Sequence, residues 1–172
     1  MSMNLLLPVL ALVAIVVVSG CTTQETQTEP TLEESIQEMM EFMENNPNDL
    51  TPTAPAGDLL PGRTDTKSGM FENINYMTSG TASIQEENGK AFIVFGFDFS
   101  TPAGPDLVVY LTSNSGPTTR ADLQAGLEVA QLKSTTGEQI YPLPAGTDLT
   151  QYNSVTIHCK RFNVPWSYAP LT

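Results

Sequence analysis

Two strand-like segments on either side of Asn88 and Gly89 are the feature that most constrains how this chain can fold. The segments "TASIQEE" and "KAFIVFGFDF" are rich in β-branched and aromatic residues, which favour extended structure. Asn and Gly both tolerate positive φ, so Asn-Gly between two such segments favours a two-residue hairpin turn. The sequence therefore predicts a tight β-hairpin. "KAFIVFGF" is predicted to be a central strand because it is apolar on both faces.

Further strand-like segments follow at short intervals. "DLVVYLT", "GLEVAQL" and "EQIYPLP" are separated by Gly, Pro, Ser and Thr, and "YNSVTIHCKRFNV" predicts one long late strand. A first strand near Met70 to Tyr76 and a short closing strand near Tyr168 bring the total to about eight. This spacing predicts an all-β domain over residues 69–172, built as an antiparallel β-sandwich or a flattened barrel.

The N-terminus carries an apolar segment at residues 5–18, "LLLPVLALVAIVVV". It is shorter than the roughly 20 residues that span a bilayer as a helix, which indicates a signal peptide over residues 1–20. The following "VSGC" resembles the lipobox of bacterial-type lipoproteins, which makes Cys21 the acylated N-terminus of the mature chain. Because "MSMN" has no Lys or Arg, an uncleaved N-terminal membrane helix is the alternative. Both readings predict an extracytoplasmic protein held at a membrane.

Residues 21–68 read as an acidic stem. Up to residue 62 it has nine acidic residues and no basic one. Thr31 and Glu34 have the spacing of a helix capping box, and Pro47 ends the pattern. The residues at helical spacing between them are apolar: Leu32, Ile36, Met39, Met40 and Met43. This predicts one short amphipathic helix, followed by a Pro/Thr-rich tether.

The charge balance excludes one class of partner. The formal net charge is -12, with 19 acidic residues against 7 Lys and Arg. A nucleic acid would be repelled by such a chain. We therefore expect no nucleic-acid partner.

Four segments together resemble a known family: "SGMFENINYMTSGTASI", "FDFSTPAGPDLVVYLTS", "QLKSTTGEQIYPLPAG" and "YNSVTIHCKRFNVPWSYAPL". In this order they resemble the DM-thirteen domain, an electron-transfer module found beside DOMON domains and in many microbial lipoproteins. The resemblance covers residues 69–171. It implies an extracellular all-β domain whose one cysteine acts as a bare redox thiol or as ligand to a prosthetic group such as haem. By position that cysteine is Cys159. The family usually has an aromatic residue before the cysteine, where this chain has His158.

The predicted strand gives Cys159 two possible environments. Alternation along the strand places Val155, Ile157, Cys159 and Arg161 on one face and His158 on the other. Aliphatic neighbours favour a buried, unreactive thiol, whereas the Arg161 guanidinium would stabilise a thiolate. His158 and Cys159 cannot both bind one metal ion from opposite faces unless the strand bulges there, so no metal site is predicted.

A cofactor is implied by the family resemblance alone. The chain has no C-x-x-C-H attachment motif, so a haem would be bound noncovalently. Met70 or Met77 could supply a second axial ligand only if the fold brings it near Cys159, and core packing is favoured for both. For Trp166 and Tyr168, closing the core is favoured over an aromatic platform for a sugar or peptide.

Two functions of different classes remain open. The first is a membrane-anchored redox or electron-transfer module that acts through Cys159 with a surface protein or redox partner. The second is a non-catalytic binding or adhesion module, in which residues 113–124 contact a protein or glycan and Cys159 fills the core. A stand-alone enzyme is not favoured, because His158 is the one histidine and no Ser or Asp signature surrounds it.

Overall fold

The structure is a computed structural model that describes residues 29–51, 64–117 and 119–172. The predicted signal peptide, Cys21 and residues 52–63 of the predicted tether lie outside the described residues. Within the described ranges, no helix is long and apolar enough to cross a membrane.

The described residues form two α-helices, two short 3-10 helices and nine strands. The helices are α1 (Leu32–Asn45) and α2 (Arg120–Gln124), with 3-10 helices at Pro47–Asp49 and Leu149–Gln151. The strands are β1 (Thr64–Met70), β2 (Glu72–Asn73), β3 (Thr81–Glu87), β4 (Lys90–Phe95), β5 (Leu107–Thr112), β6 (Leu127–Gln131), β7 (Gln139–Pro142), β8 (Ser154–Cys159) and β9 (Val164–Pro170).

Two antiparallel sheets pack around one core. The first sheet has the strand order β1-β3-β4-β7 and the second β2-β9-β8-β5-β6. Ile84, Ile93 and Phe95 of the first sheet share a buried cluster with Val109 and Ile157 of the second. Burying apolar area between two sheet faces is the main favourable term for such a layered domain. The predicted all-β sandwich is confirmed.

The predicted β-hairpin around Asn88 and Gly89 is confirmed. Glu87 pairs directly with Lys90, so residues 88–89 form a two-residue turn, the β3–β4 turn. Asn88 has φ 51° and Gly89 has φ 74°, the left-handed values that such a turn requires. Its second strand, β4, lies between β3 and β7, as expected for a segment that is apolar on both faces.

The prediction of one long strand across "YNSVTIHCKRFNV" is wrong. Strand β8 ends at Cys159, residues 160–163 form the β8–β9 turn, and β9 begins at Val164 and pairs antiparallel with β8. Asn163 closes the turn at φ 53°, a conformation that Asn adopts more readily than other non-glycine residues. Arg161 therefore lies in a turn and not on the strand face of Cys159.

Helix α1 packs against the sandwich. The predicted capping box is present, because the Thr31 hydroxyl accepts from Glu34 N and the Glu34 carboxylate accepts from Thr31 N. Met39 is 0% exposed and belongs to the core cluster. Of the predicted apolar face, Met39, Ile36 and Met43 contact the domain, whereas Leu32 and Met40 are exposed. The first sheet begins at Thr64, five residues before the expected start of the domain at residue 69.

Candidate functional site

Cys159 lies at the end of β8, in the middle of the second sheet. It pairs with Leu107 of β5 on one side and with Val164 of β9 on the other. The residue is 0% exposed and is a free cysteine. Strand β4 of the first sheet ends at Phe95, and β5 of the second sheet begins at Leu107. Residues 96–106, the β4–β5 loop, therefore cross from the first sheet to the second and cover this end of the sandwich.

A hydrogen bond holds the sulfur. Cys159 Sγ donates to the backbone carbonyl of Pro105 in the β4–β5 loop, at 3.0 Å. The backbone N–H groups of Phe162 and Arg161, in the β8–β9 turn, act on the sulfur from another side and lower the pKa of the thiol. Two loops distant in sequence therefore shape the surroundings of one atom.

The thiol is neutral at ordinary pH. Burial raises the pKa of Cys159 to about 11, and the negative charge of Asp106 adds to the rise. The Phe162 N–H and the Arg161 charge act in the opposite direction but are outweighed. Arg161 thus favours the thiolate, as its charge implies, without producing one. Whether Cys159 is a redox group stays a prediction.

Arg161 connects the site to the segment before the domain. Its Nη1 donates to Asp49 Oδ2 at 2.8 Å, and its guanidinium lies 4.4 Å from the centroid of the Phe42 ring. Its neighbour Lys160 turns the other way and binds Glu128 of β6 at 2.8 Å. Adjacent cations in the β8–β9 turn therefore contact different parts of the molecule.

A stacked aromatic pair, Tyr76 and Trp166, packs in the same core cluster as Cys159. Their ring centroids are 3.7 Å apart and the planes differ by 11°. Burial raises the pKa of Tyr76, and charge on Cys159 raises it further. Trp166 is fully buried, which confirms the prediction that it closes the core. The same prediction is wrong for Tyr168, which is partly exposed and lies outside the core cluster. The Tyr76 hydroxyl has no hydrogen-bond partner within the described part of the chain.

Local backbone features hold Trp166 in place. The register of β8 against β9 shifts between Ile157 and His158, a β-bulge that adds Trp166 to the core-facing side. Its Nε1 donates to Thr101 Oγ1 at 2.9 Å. Gly104 is required for this contact, because a Cβ there would lie 2.6 Å from the indole ring. The sequence offered no local signal for the Tyr76–Trp166 pair, since 90 residues separate its members.

His158 is not part of this site. It faces away from the core and makes an edge-on contact with Tyr110, with centroids 5.8 Å apart. Among the described residues, no group of three or more His, Cys, Asp or Glu side chains is arranged to hold a metal ion.

The residues around Cys159 do not fit a haem. The sulfur has no exposed surface and already donates to Pro105, and its strand neighbours Leu107 and Val164 are themselves fully buried. Met70 and Met77, the candidates for a second axial ligand, are 68% and 78% exposed. Core packing was the expected alternative for both, and it is wrong as well.

The loop considered for surface binding is partly built into the fold. Residues 113–124 include α2, which begins with a capping box between Thr119 and Asp122. Leu123 of this helix is buried. More conspicuous apolar exposure occurs near the Cys159 end, where Phe97 is 90% exposed.

These features define a class of small all-β domains with one buried, hydrogen-bonded cysteine at the end of the sandwich. The model of the electron transfer DM13 family matches residues 70–171, and the chain belongs to this family. Its sandwich is accordingly a module related to electron transfer. Searches of curated proteins and of solved structures found no match.

Proposed function

We propose that this protein is an extracytoplasmic lipoprotein, held at a membrane by acyl chains on Cys21, whose DM13 domain transfers single electrons at Cys159. Family membership supports the electron-transfer class. The apolar segment at residues 5–18 followed by "VSGC" supports the anchor. Two or more acyl chains on Cys21 would give stable attachment, which one chain does not.

One observation carries the role of Cys159: the sulfur is fully buried and donates a hydrogen bond to the Pro105 carbonyl of the β4–β5 loop. Thiol–disulfide exchange requires a partner to touch the sulfur and requires a thiolate. Here the pKa of about 11 and the lack of exposed surface disfavour both requirements. An electron, in contrast, can cross a few ångströms of packed side chains. The site therefore suits electron transfer better than thiol exchange.

The stacked pair Tyr76–Trp166 gives the electron a route to the surface. Trp166 is buried in the core cluster that contains Cys159, whereas Tyr76 is half-buried. In the proposed step the thiol loses one electron and one proton and becomes a thiyl radical. The electron passes through the aromatic pair to a one-electron oxidant on the redox partner, which is reduced. The thiol proton, which Sγ shares in its hydrogen bond with the Pro105 carbonyl, is released to a base in the solution.

The test uses the full chain and hexachloroiridate(IV) as one-electron oxidant. We expect the wild type to consume one equivalent in a fast phase that Cys159→Ser loses. Tyr76→Phe and Trp166→Phe should slow that phase at least about tenfold, which corresponds to about 1.4 kcal/mol in the barrier. Tyr168→Phe is the matched control, because the Tyr168 hydroxyl binds Glu72 at the surface.

Freeze-quenched samples examined by electron paramagnetic resonance should show a radical that depends on Cys159. If Cys159→Ser consumes the oxidant at the wild-type rate, the redox role of Cys159 is refuted. The binding or adhesion module, with Cys159 as a core residue, would then be the better proposal.

A further inference from the structure

Residues 29–51, the stem segment, pack against the sandwich near Cys159. Helix α1 and the residues after it contact both loops that enclose Cys159. Met39 is 0% exposed within the core cluster, and Phe42 packs against Phe162 with ring centroids 5.6 Å apart. Thr51 donates through both its backbone N–H and its hydroxyl to the carbonyl of Gly104, each at 3.1 Å.

The contacts of Phe42 and Thr51 are made with residues next to the sulfur or with their chain neighbours. Gly104 precedes Pro105, the acceptor of the Sγ–H group. The backbone N–H groups of Phe162 and Arg161 lower the pKa of the thiol, and the side chains of these two residues bind Phe42 and Asp49 of the stem segment. A movement of the stem segment away from the sandwich would therefore release both enclosing loops together.

Open surface clefts border the contact between the stem segment and the sandwich. One cleft of about 440 Å³ lies between α1 and the β8–β9 turn and is lined by Glu38, Arg161 and Phe162 among others. A second, of about 480 Å³, is lined by Asp49, Thr51, Asp106 and Arg161 among others. Arg161 lines both clefts. A contact that is bordered by solvent-filled clefts can separate at a lower free-energy cost than a close-packed core.

We propose that the stem segment is an intramolecular strap that shuts the site around Cys159 and must swing out before any molecule can touch the sulfur. This inference deepens the proposed function, since it assigns the regulation of access to the same thiol. It does not depend on electron transfer, because a strap would limit reaction of the thiol with any reagent. When the strap is docked, only electrons can reach the sulfur. When it is released, the β4–β5 loop and the β8–β9 turn lose their support and thiol chemistry becomes available.

The experiment measures alkylation of Cys159 by N-ethylmaleimide in the folded full chain, with peptide-resolved mass spectrometry to separate Cys159 from Cys21. We expect Met39→Ala and Phe42→Ala to increase the labelling rate at Cys159 at least about tenfold, because each removes apolar contact that docks the strap. Met40→Ala is the matched control, since Met40 is on the same helix and 50% exposed. It should label at the wild-type rate. Thr51→Val should give a smaller rise of about two- to threefold, since its backbone hydrogen bond remains.

Global unfolding is separated from strap release by a denaturant series. The rise in labelling must exceed the rise in globally unfolded protein, which is measured on the same samples by far-ultraviolet circular dichroism. Equal labelling rates in wild type and Met39→Ala, or a rise that matches global unfolding, would overturn the strap. If the strap variants label faster while Cys159→Ser consumes the oxidant at the wild-type rate, the strap stands and the redox proposal fails. If Cys159→Ser loses the fast oxidant phase while the strap variants label at the wild-type rate, the redox proposal stands and the strap fails.

Discussion

The β3–β4 turn and the β8–β9 turn are both hairpin connections, but their surroundings differ. Each contains an asparagine at positive φ, Asn88 and Asn163. The first turn is exposed, and a Cβ on Gly89 would meet no atom within 4 Å. The second is contacted by α1, and the backbone N–H groups of two of its residues lower the pKa of the buried thiol. One turn therefore depends on its own two residues, whereas the other depends on residues far away in the chain.

The largest expected difference between the two turns is in the stability that comes from the aromatic residue three positions after each turn. Trp166 follows Asn163 and is fully buried, whereas Phe92 follows Gly89 and is partly exposed. We expect Trp166→Ala to lower the free energy of unfolding by about 3–5 kcal/mol and Phe92→Ala by less than about 2 kcal/mol. Urea unfolding followed by circular dichroism measures both. Similar losses would show that the two hairpins contribute alike to the core.

The second prediction concerns pH. The pKa of Cys159 in the folded chain is raised from 9.0 to about 11, so the folded state keeps its proton where the unfolded chain has lost it. The stabilising contribution is complete below pH 9 and is lost as the pH rises towards 11. It amounts to about 2–3 kcal/mol.

Denaturant unfolding at pH 8 and pH 11 checks this prediction, with Cys159→Ala as the reference that removes other titrating groups from the comparison. The stability difference between wild type and Cys159→Ala should shrink by this amount over that range. Asn88→Gly, a variant of the β3–β4 turn, should keep the wild-type pH dependence. A pH-independent difference between wild type and Cys159→Ala would contradict a buried, protonated thiol.

The third prediction applies the same substitution to both turns. Asn88→Val and Asn163→Val each place a β-branched residue at positive φ, which should cost about 1–2 kcal/mol in the free energy of unfolding. Because Asn163 belongs to the turn that encloses the thiol, its variant should also raise the maleimide labelling rate at Cys159. Asn88→Val should not raise that rate beyond its effect on global unfolding. Equal labelling in the two variants would remove the distinction between the turns.

The smallest effects are expected at the two adjacent cations of the β8–β9 turn. Lys160 and Arg161 each form an exposed ion pair, and such pairs contribute at most about 1 kcal/mol. Lys160→Gln and Arg161→Gln should therefore cost little in thermal unfolding experiments, and less still at high salt. Their labelling rates at Cys159 should differ, because Arg161 contacts Asp49 and Phe42 in the stem segment while Lys160 contacts β6.

The same comparison explains how far the sequence alone could predict this structure. Asn88, Gly89 and the flanking alternation are local signals, and they correctly predict the first hairpin. The capping box of Thr31 and Glu34 likewise predicts the start of α1. The β8–β9 turn has no glycine or proline to mark it, so "HCKRFNV" resembles a continuous strand. Its ends are defined by pairing with β5 and β9, which no local pattern reveals.

The candidate site, too, could be predicted only in part from the sequence. Resemblance to the family identifies Cys159, but the sequence does not reveal Pro105, Tyr76 or Phe42 as its surroundings. The contact between Cys159 and Pro105 spans 54 positions, and that between Arg161 and Asp49 spans 112. Such contacts follow from the topology of the sandwich and the docking of α1. The predicted strand alternation failed at Arg161 because the strand had already ended.

The strands at the edges of the two sheets limit how copies of this domain can associate. In the first sheet β1 has a bulge between Asp65 and Lys67, and β7 is short and ends at Pro142, which lacks an N–H group. In the second sheet β2 has only two residues, and β6 pairs irregularly with β5. Bulged, short or proline-bearing edges are poor templates for another strand. Copies of this domain at high concentration would therefore resist merging their sheets into fibrils.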